Sequence, residues 1–244
     1  MTSQLLADLS VVRGHRILFL HHSVGRNVLA GIEQIDREVG EGRLAIVPPE
    51  AALETGSPAL VDATGGQNQD PESKMAAFAE MLRREPRLKP DLAFMKLCYV
   101  DFHPRTDVGR LFSSYERTIA EVRRDHPELR VAHVTAPLRR RPAGLKSLVR
   151  RLLGRGAWED AANTRRYEFN ERLLATYPAD PIFDLARIEA TAPDGTVTTF
   201  QHGSRQIPSL YPGYTDDGGH LNAMGQRVAG EQAIRFLALS LQGL

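Results

Sequence analysis

Short apolar runs alternate regularly with longer amphipathic segments along the chain, and this alternation limits the fold more than any other feature. The apolar runs have the length of buried strands, and the amphipathic segments have the period of helices with one apolar face. Strands are predicted at residues 16–20, 44–48, 91–100, 130–137 and 181–186, followed in turn by helices at residues 24–39, 72–84, 108–124, 161–177 and 223–241. This order is typical of an α/β protein.

Parallel strands joined by helices impose a layered arrangement. Because crossovers between parallel strands are right-handed, the helices cover both faces of the sheet and give three α/β/α layers. The chain has 244 residues, 42% of them apolar, so it can bury one such core. We expect a single domain over residues 1–244 with a mostly parallel five-stranded sheet, and a ligand site beyond the C-terminal strand ends.

The overall charge gives no reason to expect a highly charged macromolecular partner. Lysine and arginine total 31 and aspartate and glutamate total 30, so no strong net field attracts nucleic acid or an anionic membrane. No stretch reaches the roughly eighteen apolar residues of a membrane span. We therefore expect no nucleic acid partner and no stable membrane insertion.

The single cysteine, Cys98, excludes an internal disulfide, and the first residues lack the apolar stretch of a secretory signal. Both observations favour a cytoplasmic location. Cys98 itself lies in an apolar run, where a lone cysteine is more often a small buried hydrophobe than a nucleophile.

Ser23 lies in the sequence HHSVGRN, between the first predicted strand and the first predicted helix. Position alone favours a helix cap, because a serine hydroxyl there can accept hydrogen bonds from the free N–H groups of the first turn. The alternative is a nucleophile, because the C-terminal end of a strand is where ligands of such sheets bind.

Asp217 and His220 have the spacing D-x-x-H in YTDDGGHLNAMG, just before the last predicted helix. This spacing is common by chance, and a turn-capping aspartate beside a surface histidine would also produce it. The chain order is more informative, because a loop at this place can bring the imidazole over the end of the first strand. Asp217 would then hold the second ring nitrogen of a general base that acts on Ser23.

A glycine-containing loop, GGQNQDPESKMAAF, precedes the second predicted helix. Gly66 allows a backbone N–H to approach a ligand closely, as an oxyanion hole requires, and Asn68 adds a side-chain amide donor. Asp70 and Pro71 have the pattern of a helix cap followed by a first-turn proline. A well-capped helix would hold the loop still, so the two interpretations are compatible.

Taken together, these motifs resemble the SGNH-type, or GDSL-type, hydrolase superfamily. The segments FLHHSVGRN, GQNQDPESKMAAF, FDLARIEATAPDG and YTDDGGHLNAMG are similar to an uncharacterised bacterial branch of it. The resemblance implies a flavodoxin-like fold with Ser23 as nucleophile, His220 as base, Asp217 as its orienting carboxylate and Gly66 as an oxyanion donor. No G-x-S-x-G motif surrounds Ser23, which excludes the α/β-hydrolase pattern.

One block departs from the superfamily. Its third block, G-x-N-D, should fall in KLCYVDF, where only Asp101 agrees and no asparagine is present. The side-chain oxyanion donor must therefore come from elsewhere. Asn68 is the first candidate for this role, and Tyr99 is the second.

Two other groups of polar residues have structural interpretations. His21 and His22 are adjacent on a strand and point to opposite faces, so they do not easily share an ion, and we predict no metal site. Asn163, Arg166 and Asn170 lie at helical spacings. They are interpreted as a solvated helix face rather than as a binding rim.

Two stretches interrupt the alternation. Residues 138–155, LRRRPAGLKSLVRRLLGR, hold seven basic residues and no acidic one, and residues 189–215 form a long connection. Both are interpreted as rims of the crevice, because long connections in a compact domain are usually functional. The basic stretch is predicted to be a flap that selects anionic or polar substrates, or alternatively a solvated helix or a lipid-contacting segment.

These inferences predict a serine esterase that cleaves a small polar ester, such as an acylated sugar, through an acyl-enzyme and without a cofactor. An O-acyltransferase would use the same site with an alcohol as acceptor. A binding module with an impaired site is the third possibility, because the third block lacks its asparagine.

Overall fold

The chain folds into an alternating series of strands and helices, as seen in a computed structural model that describes residues 3–40, 42–141 and 158–242. The strands are β1 Arg16–Leu20, β2 Ile46–Val47, β3 Ala59–Ala63, β4 Leu92–Met95, β5 Arg130–Val131, β6 His133–Val134, β7 Ile182–Phe183, β8 Thr199–His202 and β9 Arg205–Pro208. The helices are α1 Ser3–Arg13, α2 Val24–Val39, α3 Pro49–Thr55, α4 Pro71–Arg84, α5 Val108–Asp125, α6 Trp158–Thr176, α7 Leu185–Ala190 and α8 Ala223–Leu241.

The main sheet is parallel and has the order β2-β3-β1-β4-β5. The N–H of Ala132 donates to the carbonyl of Ala93 at 3.0 Å, so β6 continues the line of β5. Strand β6 then pairs in parallel with β7. With β5 and β6 taken as one interrupted strand and the short edge strand β2 set aside, this is the order of a flavodoxin-like sheet. The predicted α/β fold class is confirmed.

This strand order locates a crevice for ligands. The chain leaves β1 in one direction across the sheet to reach β3, and β4 lies on the opposite side of β1. At such a switch point the connections diverge, and a crevice opens outside the C-terminal strand ends. The turns that follow β1 and β4 carry Ser23 and Tyr99, so these two residues flank the crevice.

The sequence interpretation missed or misplaced several elements. Strand β3, with the sequence ALVDA, was not predicted, because alanine and aspartate have low strand propensity. It is nevertheless paired along its whole length with β1, since burial between neighbours outweighs propensity. The connection at 189–215 contains the antiparallel hairpin β8–β9. Helix α1 was also missed.

Two apolar cores lie on the two faces of the sheet. One packs β1 and β4 against α1, α2 and α8, and the other packs the opposite faces of the same strands against α4, α5 and α6. Helices α2 and α8 approach very closely at Gly31. A Cβ on this residue would lie only 1.8 Å from the carbonyl oxygen of Gln226. Within the described ranges, none of the helices combines the length and apolar composition needed to cross a membrane.

A buried polar cluster lies at the N-terminal ends of β6 and β7, away from the crevice. His133 is fully buried, and its Nδ1 lies 2.7 Å from the hydroxyl of Tyr115. Its Nε2 lies 3.3 Å from a carboxylate oxygen of Asp180, which also binds Arg123 at 2.7 Å. Burial lowers the pKa of His133 to about 4, although the hydrogen bond to Asp180 opposes the shift.

This cluster predicts a pH dependence of stability. The pKa of His133 is about 4 in the folded state, whereas the ordinary value for a solvated histidine is 6.5, so the unfolded chain binds more protons between these values. The free energy of unfolding should therefore fall as the pH falls through this window. The His133 contribution should drop by about 2 kcal/mol between pH 7 and pH 5.

Urea unfolding of the wild type and His133→Gln at both pH values measures this contribution. The stability advantage of the wild type should shrink by that amount at pH 5. An advantage of equal size at the two pH values would show that His133 titrates normally in the folded protein.

Candidate active site

Ser23 has an unusual backbone conformation at the turn between β1 and α2. Its φ of 36° and ψ of −90° place a non-glycine residue at positive φ, which costs about 1–3 kcal/mol. The side chain makes no capping hydrogen bond, although the residue occupies the N-cap position of α2. The capping interpretation of Ser23 is therefore wrong, since its hydroxyl accepts no hydrogen bond from the first turn of the helix.

The two histidines before Ser23 hold the turn from different sides. The ring of His22 donates from Nε2 to the carbonyl of Gly65 at 2.9 Å, which ties the serine turn to the glycine loop. His21 is buried, and its Nε2 lies 2.9 Å from a carboxylate oxygen of Asp62. Burial lowers the pKa of His21. The two imidazoles have different partners, as the sequence predicted, although both residues lie just after the end of β1.

Asp217 and His220 form the hydrogen bond that their spacing suggested. Nδ1 of His220 lies 2.6 Å from Oδ2 of Asp217. The other oxygen, Oδ1, accepts the backbone N–H groups of Gly219 and His220, each at 2.8 Å. The hydrogen bond from His220 holds the pKa of Asp217 well below its usual range. Asp217 thus both caps the turn and orients the imidazole.

The loop that carries His220 is tied directly to the serine helix. Oδ1 of Asn27 accepts the backbone N–H of Leu221 at 3.1 Å, and Asn27 lies one helical turn after Ser23. The sequence interpretation missed Asn27, although residues four apart in a helix share a face. The same loop is also tied to the segment that follows β6, because the N–H of Arg140 donates to the carbonyl of Gly218 at 2.9 Å.

The free nitrogen of His220 contacts Tyr99 rather than Ser23. The hydroxyl of Tyr99 lies 3.2 Å from Nε2 of His220, and the two rings meet edge to face. Ser23 and His220 both belong to the described part of the chain, and no hydrogen bond joins them there. Tyr99, the second candidate for the missing donor, is therefore in contact with the predicted base.

Tyr99 is held from behind by a buried arginine on α6. The guanidinium of Arg166 donates to the carbonyl of Tyr99 from Nε at 3.1 Å and from Nη2 at 2.9 Å. Arg166 is 1% exposed, and it also binds Glu159 at 2.7 Å. The interpretation of Asn163, Arg166 and Asn170 as a solvated face is therefore wrong, since all three are buried. Polar periodicity alone does not distinguish solvent from a buried polar network.

The glycine loop lies between β3 and α4. Gly66 has a φ of 69°, and a Cβ there would lie 2.5 Å from the backbone nitrogen of Lys74, so only glycine fits. The predicted cap is confirmed, because Asp70 accepts the N–H of Ser73 at 3.1 Å and Pro71 is the first helical residue. The side chain of Asn68 accepts from Nζ of Lys74 at 3.0 Å.

A buried ion pair connects this loop to the turn that follows β4. Nζ of Lys74 lies 2.7 Å from both carboxylate oxygens of Asp101, and both side chains are fully buried. Asp101 also accepts the N–H groups of Gln69 at 2.9 Å and Cys98 at 2.7 Å. Asp101 therefore positions the loop and the turn together. Lys74 lies on an amphipathic helix and was not singled out from the sequence.

Cys98 is buried, as expected from its apolar surroundings. Its Sγ lies 3.4 Å from Nζ of the buried Lys96. The backbone N–H of Cys98 is the group that contributes to the site, through its bond to Asp101.

Most of the predicted basic flap at residues 138–155 lies outside the described residues, which stop at 141 and resume at 158. The described start runs beside the loop that carries His220. The guanidinium of Arg139 lies 5.1 Å from the centre of the Tyr99 ring. Leu138 is anchored through its N–H, which donates to Glu189 at 2.6 Å, and burial raises the pKa of Glu189 to about 8.

No protein-family model matches the chain, and a comparison with curated proteins finds no match. Among solved structures, a candidate SGNH hydrolase from Slackia heliotrinireducens is 18% identical, with a TM-score of 0.50 over 91% of this chain and 98% of that chain. The periplasmic domain of a lipopolysaccharide acetyltransferase from Salmonella ser. Paratyphi A is 13% identical, with a TM-score of 0.50 over 94% of this chain and 86% of that one. The chain therefore has the fold of the SGNH-type, or GDSL-type, hydrolase superfamily.

Proposed function

We propose that the protein is a serine esterase that cleaves a carboxylic ester of a small polar molecule through Ser23, His220 and Asp217. The observation that carries the proposal is the oriented imidazole of His220. Asp217 accepts from Nδ1 at 2.6 Å, so Nε2 of the neutral ring is left as a hydrogen-bond acceptor. A base of this kind is what a serine hydroxyl needs for activation.

Ser23 supports the same function. It stands at the switch point of the sheet, its hydroxyl makes no hydrogen bond within the described residues, and its backbone is strained. Strain of this kind persists where the surrounding structure enforces it, often at a functional residue. Ser23 is the nucleophile in this proposal.

The proposed reaction has two halves. Nε2 of His220 takes the proton of Ser23 while Oγ bonds to the ester carbon, and the carbonyl π electrons move onto oxygen. The backbone N–H groups of Ser23 and Gly66 are assigned to that oxyanion. The carbonyl then reforms, the alcohol leaves with the proton from His220, and water releases the acid by the same steps.

Water is favoured over an alcohol as the acceptor. The side chains of His220 and Asp217 are 45% and 55% exposed, so solvent reaches this part of the site. An acyltransferase would have to exclude this water from its acyl-enzyme. The cytoplasmic location expected from the single cysteine stays a prediction.

A fluorophosphonate probe tests the proposal, because only an activated serine reacts rapidly with it. We expect one adduct, mapped to Ser23 by peptide mass spectrometry and absent in Ser23→Ala. Ser113→Ala, which removes an exposed serine on α5, is the matched control and should label normally.

Product analysis with an ester panel, with and without added alcohol, separates the hydrolase from the acyltransferase. Release of free acid supports the esterase, and transfer to the alcohol in preference to water overturns it. A folded protein that neither labels nor turns over any ester would be the impaired binding module.

A further inference from the structure

The hydroxyl of Tyr99 occupies the hydrogen-bonding position on Nε2 of His220, at 3.2 Å. The ionised carboxylate of Asp217 can only accept, so Nδ1 of His220 carries the hydrogen of that bond and Nε2 of the neutral ring is an acceptor. Tyr99 must then be the donor. With a neutral ring, the Tyr99 hydroxyl donates to the lone pair of Nε2 that would remove the proton of Ser23.

We propose that Tyr99 replaces the missing third-block asparagine as the side-chain donor of the oxyanion hole, and that its hydroxyl transfers from His220 to the substrate carbonyl oxygen. This inference rests on the esterase function proposed above, because it needs an oxyanion formed by attack of Ser23. The transfer frees Nε2 to accept the proton of Ser23. Substrate binding and activation of the nucleophile are thereby coupled.

The distances allow one hydroxyl to serve both partners. During attack, Nε2 must come within about 3 Å of the Ser23 hydroxyl. The hydroxyl of Tyr99 lies 3.2 Å from Nε2. Its hydroxyl then lies no more than about 6 Å from the nucleophile, and a carbonyl oxygen bound to the attacked carbon fits within that span.

Tyr99 is also held rigidly, as an oxyanion donor must be. Its carbonyl accepts two hydrogen bonds from the buried guanidinium of Arg166, and Arg139 lies over its ring. Gly219 leaves room for the ring, because a Cβ there would lie 2.9 Å from Cζ of Tyr99. Burial raises the pKa of Tyr99, so the hydroxyl keeps the hydrogen it donates.

Asn68, the first candidate from the sequence, is placed differently. Its side-chain oxygen accepts from Lys74 at 3.0 Å, which ties it to the buried ion pair with Asp101. The residue is exposed, and among the described residues it makes no hydrogen bond to Ser23 or His220. The geometry therefore favours Tyr99 over Asn68 as the donor.

The test compares Tyr99→Phe with Asn68→Ala on an ester that the wild type hydrolyses. Tyr99→Phe should lower kcat about a hundredfold or more with little change in KM, because the donor acts on the transition state. The rate of fluorophosphonate labelling at Ser23 should fall in parallel. Asn68→Ala should change kcat by less than about threefold, a loss well below that of an oxyanion donor.

Tyr115→Phe is the matched control, because it removes a second tyrosine hydroxyl that contacts a histidine, but away from the crevice. Its kcat should stay at the wild-type value. Thermal unfolding checks each variant, and Tyr99→Met replaces Tyr99→Phe should the latter not fold.

A folded Tyr99→Phe with wild-type kcat overturns the inference, as does a hundredfold loss in Asn68→Ala alone. Neither result affects the esterase proposal as long as Ser23 still labels. Failure of Ser23 to label in the wild type would instead overturn the esterase proposal itself.

Discussion

Ser23→Ala and His220→Ala are each expected to lower ester turnover by about 10⁴-fold or more. One variant removes the nucleophile and the other removes its base, and no other group of the site can replace either. The double variant should be little worse than either single variant, since the nucleophile and its base act as one unit. Initial rates on a small neutral ester, with circular dichroism as the check on folding, measure the effect. Multiplicative losses would mean that the two residues act independently.

Ser23→Gly is the informative companion variant. It should be as inactive as Ser23→Ala, but its backbone adopts a φ of 36° without steric cost. We therefore expect Ser23→Gly to be more stable than Ser23→Ala by about 1 kcal/mol, measured by urea unfolding. Equal stability of the two variants would show that the backbone at Ser23 is not strained.

Lys74→Met is expected to lower the free energy of unfolding by about 3–5 kcal/mol, because it leaves the carboxylate of Asp101 buried without its counter-charge. Both side chains are fully buried and 2.7 Å apart. Lys89→Met, which removes an exposed lysine, is the matched control and should change stability by less than about 0.5 kcal/mol.

The double variant Lys74→Met/Asp101→Asn separates charge from packing. It should be more stable than Lys74→Met alone, because no unpaired charge remains, and the asparagine can still accept a backbone N–H. Losses that simply add would show that the two charges do not interact. Turnover should fall with stability, because Asp101 positions both the Gly66 loop and the Tyr99 turn.

The features that depend on near neighbours could be predicted from the amino-acid sequence. The alternation of strands and helices, the bounds of β1, α2 and α8 and the cap at Asp70 follow from periodicity and capping, which act over a few residues. The pairing of Asp217 with His220 is also local, since three residues of a turn bring the side chains together.

Contacts between distant residues emerged only from the folded chain. Tyr99 contacts His220 across 121 positions, and Lys74 contacts Asp101 across 27. Ser23 occupies a capping position without capping, and its backbone angles are not those that its residue type prefers. Arg166 has the spacing of a solvated residue but is buried against the carbonyl of Tyr99. Strand propensity also failed to predict β3, because its pairing with β1 outweighs the local preference of its residues. Contacts between distant segments of this kind leave no local pattern in the sequence.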